Sequence, residues 1–185
     1  MPQASFPSEF PTLQGKAVCL RELCEDDIPG WFARATDAEA ADLAGDPVPE
    51  SIDMGTLWLE RQRRLFRDRT GIRWAIAPVG SSVSVGTVGL TLDQALDGIA
   101  ELGIVLARAH WSKGLGTTSA RMAVLYGFEV LALREIRAEV LQRNSASIRL
   151  LEKTGFRMVR VLPPTEAEPE IMLAFSFPWS APSAA

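Results

Sequence analysis

The stretch IAELGIVLARAHWSKGLGTTSARM, Ile99 to Met122, decides the fold. Its first part, IAELGIVLA, reads as a strand. Alternation puts Glu101 and Gly103 on one face, and Leu102 and Ile104 on the other. Its last part reads as the start of a helix. Between them, Gly114 and Gly116 flank Leu115, with Lys113 just before. A strand, a glycine-bearing turn and a helix make an anion site. The glycines let backbone N–H groups turn inward, and the helix start adds partial positive charge.

Working outward on both sides, the alternation in KAVCLREL (Lys16–Leu23) gives a first strand. EDDIPGWFARAT follows as a helix, with acids at its positive end and Pro29 in its first turn. Asp37–Asp53, acidic and interrupted by two prolines, is expected to be a loop. MGTLWLERQRRLFRDRTG shows Leu57, Trp58, Arg61, Leu65 and Phe66 at helical spacing, with Gly71 ending the helix. Its arginines fall mainly off that stripe and read as a solvated face. IRWAIAPV and VGTVGLTLDQ are strands joined at GSS, a hairpin signal, and Asp97–Gly98 turns the chain into Ile99. After the opening stretch, Met122, Leu125, Phe128 and Leu131 or Ala132 continue a helical repeat. REIRAEVLQ is a strand, and NSASIRLLEKTGF is a short helix capped by Asn144 or Ser145 and stopped by Gly155. RMVRVLPP and EIMLAFSF close as two strands. The order β-α-α-β-β-β-α-β-α-β-β excludes a regular doubly wound sheet. It predicts an α+β domain in three layers, its central sheet mostly antiparallel, with helices on both faces. Residues 1–14 are expected to be an arm, 15–177 the domain and 178–185 a loose tail.

Composition narrows the function. The 185 residues carry a formal charge of -4, which argues against a protein that tracks nucleic-acid phosphates. The beginning lacks the basic and apolar regions of a secretory signal, and no run reaches the length of a membrane span. A soluble cytoplasmic protein is expected, with neither membrane nor nucleic acid as a partner. Cys19 and Cys24 form no CxxC and read as small, partly buried side chains. His110, the only histidine, reads as a loop residue. No metal is expected.

Three phosphate chemistries compete for the glycine turn. The Walker A spacing GxxxxGK[ST] is absent, and the GxGxxG dinucleotide fingerprint fails because Ser119 stands where its third glycine would be. The pyrophosphate of coenzyme A is the third. Here the chain resembles the GNAT superfamily of N-acetyltransferases, closest to the RimJ/RimL branch. The likeness covers about residues 14–177. It rests on IAELGIVLARAHWSKGLGTTSARM, on NSASIRLLEKTGF and on the order of elements around them.

The resemblance implies that the fourth and fifth strands splay apart and that the pantetheine arm of acetyl-CoA lies in the gap. The arm would pair with the backbone of Ile104, Val105 and Leu106. The pyrophosphate would lie on Lys113, Gly114, Leu115, Gly116 and Thr117. Trp111 stands where the family pattern has Gln or Arg, so binding falls to backbone amides, with Lys113 as a charge supplement. Asn144 matches the asparagine that hydrogen-bonds near the thioester, and it also suits an N-cap. Homodimers are common in the branch, and a homodimer is an expectation by resemblance only.

Acetyl transfer needs a neutral amine. An α-amine with a pKa near ~8 is about one-tenth neutral at pH 7, whereas a lysine-like amine near ~10.4 is almost wholly charged. A positioned base is therefore useful, and Glu101 is the candidate by match to the family. Its other reading is a solvent-facing strand glutamate. Many relatives supply a general acid from a tyrosine at the position held here by Leu151. Ser147, the third residue after Asn144, matches the serine of RimJ/RimL-like enzymes, and it also reads as a plain first-turn residue. The acceptor is expected to be a primary amine, on a protein or peptide N-terminus or a small molecule. Asp37, Glu39, Asp42, Asp46, Glu50 and Asp53, with Glu166, Glu168 and Glu170, suggest a cationic one. The alternatives kept open are a non-catalytic acyl-CoA-binding module and an acyl group larger than acetyl.

Overall fold

The computed structural model describes residues 6–45, 47–166 and 169–178. A single eight-stranded sheet runs in the order β1-β2-β3-β4-β5-β6-β8-β7. The strands are β1 (Leu13–Gln14), β2 (Val18–Arg21), β3 (Gly71–Pro78), β4 (Gly86–Leu92), β5 (Ile99–Leu106), β6 (Glu135–Leu141), β7 (Arg157–Leu162) and β8 (Met172–Pro178). The helices are α1 (Ile28–Ala35), α2 (Ala38–Ala44), α3 (Met54–Arg67), α4 (Leu115–Glu129) and α5 (Ser145–Thr154). All neighbouring strands are antiparallel except β5 and β6, which α4 connects in parallel. The mostly antiparallel α+β sheet read from the order of elements is therefore the observed one.

Alternation along β3 separates the two faces. Trp74, wholly buried, meets Tyr126 of α4 edge-on at 5.4 Å. Ala75, next in the chain, packs with Leu59 of α3 and with Leu23. The main core lies on the α4 side, where Ile72, Ile76, Val88, Leu90 and Leu102 meet Ala120, Ala123 and Val124. Helices therefore cover both faces, and the sheet is the middle of three layers.

Four local readings change. Asp37–Asp53 contains a helix, α2, that the prolines and acids obscure. The Asp37 carboxylate accepts from the Ala40 N–H, and Gly45 ends the helix in the left-handed region at φ 68°. Those are ordinary start and stop signals. On α3, Leu57 is 70 % exposed, and Leu59, two residues on, is the buried one. The helix ends at Arg67, so Gly71 begins β3 rather than closing α3. On α4, Phe128 is buried as read, as is Leu131 just past its end, but Leu125 is exposed, and the buried face also takes in Ala120, Ala123, Val124 and Gly127. Small residues there let α4 lie close to the sheet. A Cβ on Gly127 would stand 2.9 Å from Leu90 and 3.0 Å from Ile136.

From Phe6 onward, the segment expected as an arm lies on the domain. Phe6 and Phe10 pack on Phe66, Leu13 and Gln14 pair with β2, and the Trp74 indole donates to the Pro11 carbonyl at 2.8 Å. Residues 1–5 of the arm, Trp179 to Ala185 of the tail, and Asp46 and Glu168 lie outside the described residues.

Candidate active site

The expected splay is between β5 and β6, since β1 adds a strand ahead of those read from sequence. The two strands pair only at Ile99, Ala100 and Glu101, opposite Glu135, Ile136 and Arg137. Past Glu101, β5 continues to pair with β4 as far as Leu106. β6 turns instead to β8 along its whole length. The Ala107 N–H donates to the Val85 carbonyl, which sets the phase of the β4–β5 ladder. In an antiparallel pair, alternate residues bond to the same neighbour. Gly103 and Val105 thus bond towards β4, and the backbone groups of Leu102, Ile104 and Leu106 turn into the gap. The Leu106 carbonyl there accepts from the Trp111 indole at 2.8 Å. Ile104 is left as the residue best placed to pair with an extended ligand.

A cleft of 560 Å³ fills the gap. Its walls include Glu101, Ile104, Val105, Leu106, Asn144 and Ser147. Gly114, Gly116 and Thr117 also border it. At this end α4 begins without a side-chain cap, and Gly114 holds its N-cap position at φ 78°. The first-turn N–H groups have no acceptor within the helix. The two glycines serve different needs. Gly114 supplies the left-handed turn, with open space around its Cα. Gly116 supplies room, because a Cβ there would stand 2.7 Å from Leu150 and 3.0 Å from Leu106. Lys113 is exposed on the turn beside the cleft, and the Leu115 side chain packs on the core. Their residue positions nonetheless belong to the same turn.

Asn144 caps α5 by accepting from the Ser147 N–H at 3.0 Å, and its amide donates to the Leu43 carbonyl of α2 at 3.3 Å. Ser147 lines the cleft from the first turn of α5. Leu151 is 2 % exposed and brings no phenol to the site. Tyr126 packs on Trp74, where burial raises its phenol above the usual value.

Glu101 opens to the cleft, yet enough protein surrounds its carboxyl that burial raises its pKa. Glu139 adds to the rise and Arg73 opposes it. Arg34, Arg73 and Glu139 all line this part of the cleft and were not singled out from sequence. The signal for Arg73 was a glycine within each of two neighbouring strands, which marks a close approach by another group.

Four of the nine acids expected to steer an amine are engaged by arginines. Arg108 pairs with Asp37 and Glu39, and Arg143 pairs with Asp42 and Glu170. The Ala40 N–H first, and Arg108 with it, hold Asp37 below the usual carboxylate range, and Arg143 does the same for Glu170. Arg108 follows β5 and Arg143 follows β6. The acids of α2 therefore clasp it across the open end of the gap, with Ala40, Leu43 and Ala44 forming a wall of the cleft. Among the described residues, no group of three His, Cys, Asp or Glu side chains could hold a metal. No described helix is long and apolar enough to cross a membrane.

With this geometry in place, comparison with known proteins gives the family. Residues 17–157 match the model of the acetyltransferase (GNAT) domain. The chain belongs to the GNAT family. An uncharacterized N-acetyltransferase of Bacillus subtilis, YoaA, is 31 % identical over 153 residues, covering 83 % of this chain and 86 % of that protein. The crystal structure of a GNAT-family acetyltransferase from Bacillus anthracis superposes with a TM-score of 0.78 at 16 % identity, over 91 % of this chain and 98 % of that one. A spermidine N-acetyltransferase from Vibrio cholerae, solved with CoA and spermine, gives 0.75 at 20 % identity, over 89 % and 96 %. This GNAT protein is an acyl-CoA-dependent N-acetyltransferase.

Proposed function

We propose that this GNAT enzyme moves the acetyl group of acetyl-CoA to a primary amine by direct attack, both substrates being bound together. The observation that carries the reading is the gap that opens beyond Glu101. One side presents unshared strand backbone at Ile104, the far end presents the uncapped start of α4, and a carboxyl stands at the base. The fit to coenzyme A is good on those grounds. Ile104 and the N–H of Leu106 would hold the pantetheine arm, and the turn from Lys113 to Thr117 its pyrophosphate. The bound cofactor would supply the thioester carbonyl.

The chain's own groups would do the rest. Glu101 takes a proton from the incoming ammonium, directly or through water, and its position on the odd face of β5 turns it to the side where α1 and α2 lie. Backbone N–H of the gap donates to the carbonyl oxygen as charge gathers there. Ser147 is the hydroxyl placed to protonate the departing thiolate, since Leu151 offers none. Trp111 and Ser147 together support a RimJ/RimL-like placement. The acceptor is a peptide N-terminus or a small amine. The pairing of Asp37, Glu39 and Asp42 with arginines weakens the share of those three acids in the case for a cationic acceptor.

The test is a screen of primary amines with acetyl-CoA, read by release of the coenzyme A thiol. Turnover with at least one amine is expected, and Glu101→Gln should lower kcat/KM by about 10²–10⁴-fold. Tight acetyl-CoA binding with no turnover across the panel would favour the non-catalytic module.

A further inference from the structure

Arg73 sits on β3 in register with Gly89 of β4, which is in register with Gly103 of β5. Its side chain runs across both glycines. A Cβ on Gly89 would stand 2.8 Å from Nε and 3.0 Å from Cδ of Arg73. A Cβ on Gly103 would stand 3.0 Å from one terminal nitrogen, and the other donates to the Gly103 carbonyl at 3.3 Å. Two missing side chains thus form a trough in which a long cation crosses two strands at the level of the backbone. Gly103 and Glu101 share a face of β5, one pleat apart. The trough therefore delivers the guanidinium beside the candidate base, inside the same cleft.

We propose that Arg73 is a positioning residue for acetyl transfer, lying in the Gly89–Gly103 trough to keep Glu101 an ionised carboxylate facing the amine. The inference rests on the reading of Glu101 as the base. Other charged groups facing Glu101 do not replace Arg73. Arg137, opposite Glu101 on β6, is engaged by Glu135 at 3.0 Å. Glu139, farther along β6, repels a carboxylate, and Thr91, opposite on β4, is neutral. Arg34 of α1 lines the cleft without contributing to the shift resolved at Glu101, whereas Arg73 does. Burial and Glu139 both favour the protonated carboxyl, and Arg73 is the cation that opposes them.

The experiment follows the Glu101 carboxyl directly, in protein labelled with 13C at the glutamate carboxyl. The resonance missing in Glu101→Gln identifies Glu101. In Arg73→Met its titration midpoint should rise by about one pH unit or more, the size expected on losing a close opposite charge. Arg73→Lys should recover part of the shift. Gly103→Ala, which crowds the guanidinium while keeping the charge, should move the midpoint the same way as Arg73→Met. An unchanged midpoint in folded Arg73→Met overturns the proposal; if Arg73→Met does not fold, an unchanged midpoint in folded Gly103→Ala overturns it. The acid limb of kcat/KM, with the amine that the screen selects, should follow the carboxyl. Full activity in Glu101→Gln would instead sink the base assignment, an outcome separable from the titration itself.

Discussion

Glu101, the proposed base, carries opposite consequences for activity and stability. Burial raises its pKa in the folded chain. The unfolded chain ionises it near the ordinary value of about 4.3. Between that value and the raised one, the folded state binds the extra proton, so stability falls as pH rises, and the loss is complete above the folded pKa. Glu101→Gln removes the penalty. The variant should melt higher than wild type at pH 7 and lose that advantage below about pH 4, although its kcat/KM is lower; thermal unfolding at the two pH values checks this. Asp27 behaves in the reverse sense. Burial works against its charge, but Arg21 and the Cys24 N–H, at 2.8 and 2.9 Å, hold it below the usual carboxylate range. Its stabilisation is present above the unfolded value of about 3.9 and is lost as pH falls through the lower folded one. Asp27→Ala removes the hydrogen bonds from Arg21 and from the Cys24 N–H and should cost about 1.5–3 kcal/mol in denaturant unfolding at pH 7.

Among the elements, α2 is the one whose position rests most on charge. Its acids are shared between Arg108 on one side of the gap and Arg143 on the other. Exposed pairs of this kind contribute little to global stability, and salt screens them. Losing both arginines should therefore leave the melting temperature nearly unchanged but loosen the wall formed by Ala40, Leu43 and Ala44. The double variant Arg108→Ala/Arg143→Ala should show a raised KM for the amine. Its KM should also respond less to added salt than that of wild type. Steady-state kinetics at two ionic strengths measures both. The helix was hidden in the sequence because acids and prolines outweighed two modest signals, the cap at Asp37 and the stop at Gly45. α3 and α4 are visible as helices from their spacing, and Phe128 and Leu131 are buried as that spacing implies. Close packing on the sheet adds the small residues Ala120, Ala123 and Gly127 to the buried face of α4, and Leu57 and Leu125 are left in water.

Across the whole molecule, the gap between β5 and β6 couples binding to stability. Acetyl-CoA should seat on groups that exist together only in the folded chain. Excess ligand at 100 times its Kd should add about 2.7 kcal/mol. For a domain of this size that corresponds to a rise of roughly 5–10 °C in melting temperature. Thermal denaturation with and without acetyl-CoA reads it, and Gly114→Ala should reduce the rise. That substitution forces a side chain into the left-handed region at a cost of about 1–2 kcal/mol and disturbs the turn at the start of α4.

The sequence by itself determined the succession of strands and helices apart from β1 and α2, the mostly antiparallel sheet and the glycine turn. Each of these is set by residues close together in the chain, through alternation, helical spacing, caps and backbone freedom. It also singled out Glu101, Asn144 and Ser147, because the resemblance rests on short motifs. Only the tertiary structure decided what surrounds them. Arg73 reaches the cleft that Glu101 lines because β3, β4 and β5 align in one register with two glycines between. Asp42 meets Arg143 because α2 crosses the gap. Those neighbours are separated by many residues, and no local pattern records which strands will pair or how far apart two of them will open.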